Sequence, residues 1–289
     1  MHPIRSGFAD PAHPDLAVVM AIVNRTPDSF YDKGATYAVD KALEAVEKSV
    51  IQGARIIDIG GVKAGPGNEV DPREEADRVV PFIAEIRHRY PDLAISVDTW
   101  RSGVADEAVR AGATLINDTW AGHDPELVEV AGQHKVGYVC SHTGGAVPRT
   151  RPYRVHYDDV VAEVIAETTA LAEKAASVGV PENLVFIDPT HDFGKNTFHG
   201  LELLRRVDEL VATGWPVLMA LSNKDFVGET VGRDVAERVP GTLAATSWAA
   251  ARGVAAFRAH QVVETVDTIR MTAAIAGKVP PARTVRGLV

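Results

Sequence analysis

Apolar residues in this chain fall into short unbroken runs, separated by longer stretches where they recur every three or four positions. The runs are Ala17–Val23, Arg55–Ile59, Ala94–Val97, Thr114–Ile116, Val136–Cys140, Leu184–Ile187, Pro216–Leu221 and Val254–Phe257. A strand covered on both faces needs continuous rather than alternating apolar character, so the runs predict strands of a parallel sheet. The stretches between them predict helices, among them Val39–Gln52, Arg73–Arg89, Asp158–Ser177 and Gly241–Arg252. Glycines 53, 112, 179 and 253 stand where such helices should end, as C-caps do. Eight strand–helix repeats predict an α/β fold, a (β/α)8 TIM barrel, with an open doubly wound sheet as the alternative. On this reading residues 1–15 are an N-terminal extension, 16–278 the barrel and 279–289 a surface tail.

Composition narrows the class. The 289 residues hold 30 Lys+Arg and 39 Asp+Glu, a net charge of −9. This balance argues against nucleic acid, which needs clustered cations along a phosphate track. The single cysteine, Cys140, excludes a disulfide framework and a cysteine-based zinc site. No apolar run approaches the roughly 18 residues of a membrane span, and the first fifteen residues lack an apolar signal core. A cytoplasmic, enzyme-sized domain is expected.

The ends of the predicted strands carry the chemistry. In order they are Asn24, Asp58 with Gly60 and Gly61, Asp98, Asn117 with Asp118, Ser141 with His142, Asp188, Ser222 with Lys224, and Arg258 with His260. Each is also a plausible turn or helix-capping residue. In a barrel, however, all eight ends converge on one face, where binding sites form. A shared polar pocket is therefore the stronger expectation. His142, His191, Asp192 and Asp98 have no metal-binding spacing such as His-Glu-x-x-His, so no metal cluster is expected from them.

Several of these segments resemble the dihydropteroate synthase family. The first is Met20-Ala-Ile-Val-Asn-Arg-Thr-Pro-Asp-Ser-Phe30. Ile95-Ser-Val-Asp-Thr99, Ile116-Asn-Asp118, Asp188-Pro189 with Phe193-Gly-Lys195, Ser222-Asn-Lys224 and Arg258-Ala-His260 follow in the family's order. The resemblance runs from about residue 17 to residue 275 and implies a barrel. The family joins a pterin-methyl diphosphate to p-aminobenzoate with release of diphosphate. The resemblance implies pterin binding by Asp98, Asn117, Asp188, Phe193 and Lys224, with Asp98 and Lys224 as the catalytic pair. A carboxylate such as Asp188 suits a pair of ring N–H donors, and Asn117 can both donate and accept. The resemblance further implies phosphate contacts from Asn24, Arg258 and His260, with Asn24 as a Mg²⁺ ligand, and a homodimer formed through the last helices.

The chain departs from the family in its second loop. The usual Gly-Gly-Glu-Ser-Thr-Arg-Pro-Gly is replaced by Gly60-Gly61-Val62-Lys63-Ala64-Gly65-Pro66-Gly67. The Thr and Arg that touch p-aminobenzoate and diphosphate have become Ala64 and Gly65. Nearby, Ser-Arg-Lys has become Ser222-Asn223-Lys224, Gly-Phe-Gly has become Thr190-His191-Asp192, and Arg25 and Lys63 are new cations. Arg25 and Lys63 are expected at the rim, rebuilding the anion site in altered form. In these departures the chain resembles the divergent second paralogue of some actinobacteria. The expected function is pterin binding with p-aminobenzoate condensation weak or lost. The alternatives are an active synthase in folate biosynthesis, a non-catalytic ligand-binding or partner protein, and a different pterin-linked transferase.

Overall fold

The computed structural model describes residues 4–26, 39–150 and 156–286. The last part of the first motif, residues 27–30, lies outside them. The eight strands are β1 (Val18–Asn24), β2 (Ile56–Gly60), β3 (Ala94–Asp98), β4 (Leu115–Asp118), β5 (Gly137–Ser141), β6 (Val185–Asp188), β7 (Leu218–Met219) and β8 (Ala256–Ala259). The helices on the strand exteriors are α1 (Val39–Ile51), α2 (Pro72–Arg89), α3 (Ser102–Ala111), α4 (Leu127–His134) and α5 (Val160–Ser177). They continue as α6 (Thr197–Arg205), α7 (Val207–Ala212), α8 (Asp225–Val231), α9 (Val239–Ala251) and α10 (Val262–Ile275).

All strands pair in parallel, in the order β6-β5-β4-β3-β2-β1-β8-β7. The ring closes between β6 and β7 through one bridge, Ile187 with Val217, and Ile187 N donates to Pro216 O at 2.9 Å. This seam explains the one large difference from the sequence pattern. Six apolar residues from Pro216 to Leu221 suggested a full strand, but only Leu218 and Met219 form a ladder, and they form it with β8. Helix ends follow the sequence signals. Asp71 caps α2 ahead of Pro72, and Asp159 caps α5 by accepting from Val161 N and Ala162 N. The four predicted C-cap glycines all have positive φ.

The core has two parts. The larger lies between strands and helices and explains the continuous apolar runs: alternate residues such as Val19, Ala21 and Val23 face outward to the helices. The smaller fills the barrel itself with Val18, Met20, Ile56, Leu115, Val139, Phe186, Leu218 and Ala256. Phe8 stacks on Phe186 (ring centroids 5.8 Å, 17° between planes) and so covers this plug at the N-terminal end of the strands. Inward-facing residues are therefore apolar low in the barrel. Higher up they become polar, and there the strand register sets Asn24 beside Gly60, Gly60 beside Asp98, and Asp98 beside Asn117.

Candidate functional site

Asp58 anchors the polar layer. It is fully buried inside an otherwise apolar strand, where an unpaired carboxylate would be very costly. Three side chains repay that cost. Ser96 Oγ donates to Oδ1 at 2.6 Å, Asn117 Nδ2 approaches both oxygens at 3.3 Å, and Arg258 Nε donates to Oδ2 at 2.6 Å. The Arg258 guanidinium then reaches Asp98, donating from Nη2 to Oδ2 at 2.8 Å. Thr119 Oγ1 donates to the other Asp98 oxygen at 2.9 Å. Asp58, Arg258, Asp98 and Asn117 thus form one bonded layer across β2, β8, β3 and β4.

This arrangement decides between capping and pocket for several strand ends. Asp98 does not cap α3; Ser102 N is satisfied by Asp124 instead. Asp118, next to Asn117, faces the other way. It accepts from Tyr138 OH at 2.6 Å and from the backbone N–H groups of Trp120 and Gly122, so it orders its own loop. Asp188 lies at the end of β6 and accepts Thr190 N on Oδ1 at 2.8 Å. Its Oδ2 and the side-chain amide oxygen of Asn117 have no hydrogen-bond partner among the described residues. Burial pushes the carboxyls of Asp98 and Asp188 up to about 6, against the pull of Arg258 on Asp98 and of Thr190 N and Lys224 on Asp188. Burial thus makes their charged forms costly, a cost that a hydrogen-bonding ligand would lower.

The cations stand differently from the expectation. Arg258 was expected to meet phosphate, but Nε and Nη2 already hold Asp58 and Asp98. Lys224 Nζ is 2.5 Å from Asp192 Oδ2. Arg25 is buried outside the barrel mouth, its guanidinium 4.8 Å above the Phe82 ring of α2, because alternation along β1 turns Asn24 inward and Arg25 outward. Lys63 is half-buried on the loop after β2, with no ion-pair partner among the described residues. The rim is therefore not an open cationic site; most of its positive charge is already matched by carboxylates. His260 adds no positive charge. Burial, with Arg258 and Lys224 nearby, pushes its imidazole down to about 3, so it is neutral. Its Nδ1 lies 3.0 Å from Ser222 Oγ, tying β8 to the loop after β7.

The loop after β6 closes one side of the mouth. Phe193 is buried and packs on Trp120 (centroids 4.6 Å), which in turn meets Trp100 edge-on. Thr190, a β-branched residue, holds φ at +50°, a conformation that costs of order 1–3 kcal/mol. His191 is buried against Phe226 of α8 (5.2 Å, 28°), and neither ring nitrogen has a partner among the described residues. Lys195 turns inward under this loop and bonds the carbonyls of His142, Phe193 and Thr190 at 2.9, 3.1 and 3.2 Å. Burial brings its ammonium down to about 7. Asp58, read from the sequence only as a strand end, and Lys195, read only as part of a family segment, were given no role there. The signal for Asp58 was there: a carboxylate inside an apolar run must be paired within the barrel.

Asn24 Oδ1 and Asp98 Oδ2 flank Gly60, whose missing side chain leaves the space between them; a Cβ there would lie 3.4 and 3.8 Å from the two oxygens. Both are hard oxygen donors of the kind Mg²⁺ takes in small number alongside phosphate. Asn24 thus fits the metal role expected of it, and it lies in one register row with Asp98 and Asn117.

Comparison with known proteins agrees with this geometry. The pterin binding enzyme family model matches residues 20–260. The chain is 60% identical over 282 residues to the inactive dihydropteroate synthase 2 of Mycobacterium leprae, covering 96% of this chain and 97% of the relative. The dihydropteroate synthase of Xanthomonas albilineans solved with 4-aminobenzoic acid superposes with a TM-score of 0.82 at 38% identity, covering 92% of this chain and 95% of that one. A dihydropteroate synthase from Coxiella burnetii in complex with pteroic acid gives 0.81 at 30% identity, covering 90% and 93%. The chain belongs to the pterin binding enzyme family and is a homologue of the dihydropteroate synthases.

Proposed function

We propose that the chain binds a pterin at the C-terminal mouth of the barrel and condenses it with p-aminobenzoate weakly or not at all. The observation that carries this reading is the buried polar layer, with acceptor atoms of Asp188 and Asn117 unmatched among the described residues. A pterin edge offers adjacent N–H donors, which a carboxylate accepts as a pair. Asp188 takes that pair and Asn117 takes the mixed edge. Asp98 accepts from the ring and opposes positive charge developing as a leaving group departs. Lys224 faces the ring carbonyl, and Phe193 with Trp120 forms an apolar wall.

The anion side supports weakened catalysis. Ala64 and Gly65 offer no charge, Asn223 stands where the family has Arg, and Lys224 and Arg258 are engaged by Asp192, Asp58 and Asp98. Of the expected phosphate ligands, Asn24 stands beside the side-chain-free Gly60, whereas Arg258 must share its guanidinium and His260 contributes as a neutral donor. Mg²⁺, held through Asn24, would supply charge neutralisation to the diphosphate. The homodimer is proposed through α9 and α10, which leave Trp248, Met271 and Ile275 exposed.

Calorimetry with a 6-hydroxymethyl-pterin tests binding, and turnover with the pterin-methyl diphosphate, Mg²⁺ and p-aminobenzoate tests catalysis. We expect saturable binding that Asp188→Ala abolishes, with turnover far below that of an active synthase. Absent binding by a folded sample would favour a partner-protein role. Turnover at the rate of an active synthase would restore the folate-enzyme reading.

A further inference from the structure

His142 follows the last residue of β5, and alternation turns its ring outward, away from the pterin mouth and toward α5. Its side chain is 0% exposed. On α5, Glu163 and Glu167 stand one helical turn apart and point at the same ring nitrogen. Nε2 lies 3.7 Å from Glu163 Oε1 and 3.4 Å from Glu167 Oε2, and the three ligand atoms lie within 4.8 Å of one another. Despite this proximity Nε2 makes no hydrogen bond among the described residues. No lysine or arginine among the described residues forms an ion pair with either glutamate. The imidazole does not supply the missing charge, because burial and the neighbouring Lys195 keep it neutral.

Two like charges brought together over a buried, unbonded ring nitrogen form an incomplete arrangement. The separations suit a cation between them. Bonds of about 2.0–2.1 Å in a tetrahedral site put neighbouring ligand atoms about 3.3–3.4 Å apart. The observed 3.4 and 3.7 Å match that edge with small side-chain adjustments. The ring is also held from behind: Nδ1 lies 2.8 Å from Lys195 Nζ, which fixes the orientation in which Nε2 faces the glutamates. From these observations we propose that His142, Glu163 and Glu167 form a binding site for a divalent transition metal of the zinc class. It supplies three protein ligands and leaves a fourth position open to water.

One nitrogen and two carboxylate oxygens favour zinc-like ions over Mg²⁺, which prefers all-oxygen octahedral shells. Coordination replaces the proton on Nε2, which leaves to solvent; the remaining protons stay shared between Nδ1 and Lys195. The site is distinct from Asn24. Bound metal would clasp α5 to the top of β5 and, through Lys195 and its bonds to Thr190 O and Phe193 O, brace the loop that carries Asp188.

The test uses the full chain after dialysis against a chelator. Calorimetry with Zn²⁺ should show one ion per chain, and Co²⁺ should give the visible bands of a low-symmetry, four-coordinate site. Both glutamates are half-exposed on a helix surface, so the double variant Glu163→Gln, Glu167→Gln retains the fold. It should weaken Zn²⁺ binding by more than the roughly 10- to 100-fold that loss of an outer partner costs. It should also lose the Zn²⁺-dependent rise in Tm of the parent, while Asn24→Ala retains both. Equal Zn²⁺ affinity in the parent and the double variant would overturn the proposal, as would a site lost with Asn24→Ala.

Discussion

Asp188, the last residue of β6, and His191, three residues on in the following loop, have buried side chains that respond to pH in opposite directions. The Asp188 carboxyl rises from its ordinary 3.8 to about 6 in the fold. Between those values the folded state binds more protons than the unfolded one, so this contribution is fullest at low pH and is lost as pH rises through 6. Asn at this position stays neutral throughout. Asp188→Asn is therefore expected to raise Tm at neutral pH, lose that advantage toward pH 4 and abolish pterin binding. A lower Tm at neutral pH would contradict the sign. The His191 imidazole falls from 6.5 to about 3. Its contribution is present above pH 6.5 and lost as pH falls toward 3. His191→Phe removes that loss and two unpartnered buried nitrogens, each kind of defect worth about 1–3 kcal/mol. The variant should gain about 1 kcal/mol or more in urea unfolding, and more below pH 6.5 than above it. An unchanged or smaller midpoint would mean that the Phe226 contact already accommodates the ring.

At the scale of elements, the strands and the longer helices were legible in the sequence because each is governed by local periodicity and capping. Loop geometry was not. The segment from Gly61 to Val70 carries the departures from the family, and its shape is set by two distant arginines. Arg78 Nη1 donates to Gly61 O at 2.8 Å, and Arg101 Nη2 donates to Val70 O at 2.7 Å. Arg101 Nη1 also pairs with Glu75, only 1% exposed, at 2.6 Å. Pairing across 26 residues leaves no periodic trace. Arg101→Ala should cost about 3–5 kcal/mol, because it strands a buried carboxylate. Chemical denaturation measures that loss, and amide exchange should quicken through residues 61–71. A loss within ordinary surface-substitution range would mean that Thr99 and Arg78 suffice to hold Glu75.

For the whole molecule, the net charge of −9 is compatible with cations at the mouth, but two of them, Lys224 and Arg258, are paired there with carboxylates. An arginine at position 65, where the family holds one against the diphosphate and this chain has only Lys63 nearby, is thus the missing element for anion chemistry, and restoring it is the direct check. The variant Ala64→Thr, Gly65→Arg should raise condensation turnover by about 10²- to 10³-fold, the usual worth of one transition-state charge contact. If turnover stays unchanged while pterin binding is intact, Asp192 and Asn223, rather than loop two, limit the reaction. The sequence alone determined the barrel and the order of its strand ends, because a repeated unit and its side-chain alternation are local properties; the residues proposed to meet a pterin were suggested by the resemblance to the family. Only the tertiary structure decided which charges are free. Arg258 lies 200 residues from Asp58 and 160 from Asp98, and Arg25 turns outward while its neighbour Asn24 turns in. Charge pairing depends on distances in space, and those exist only once the ring of strands has closed.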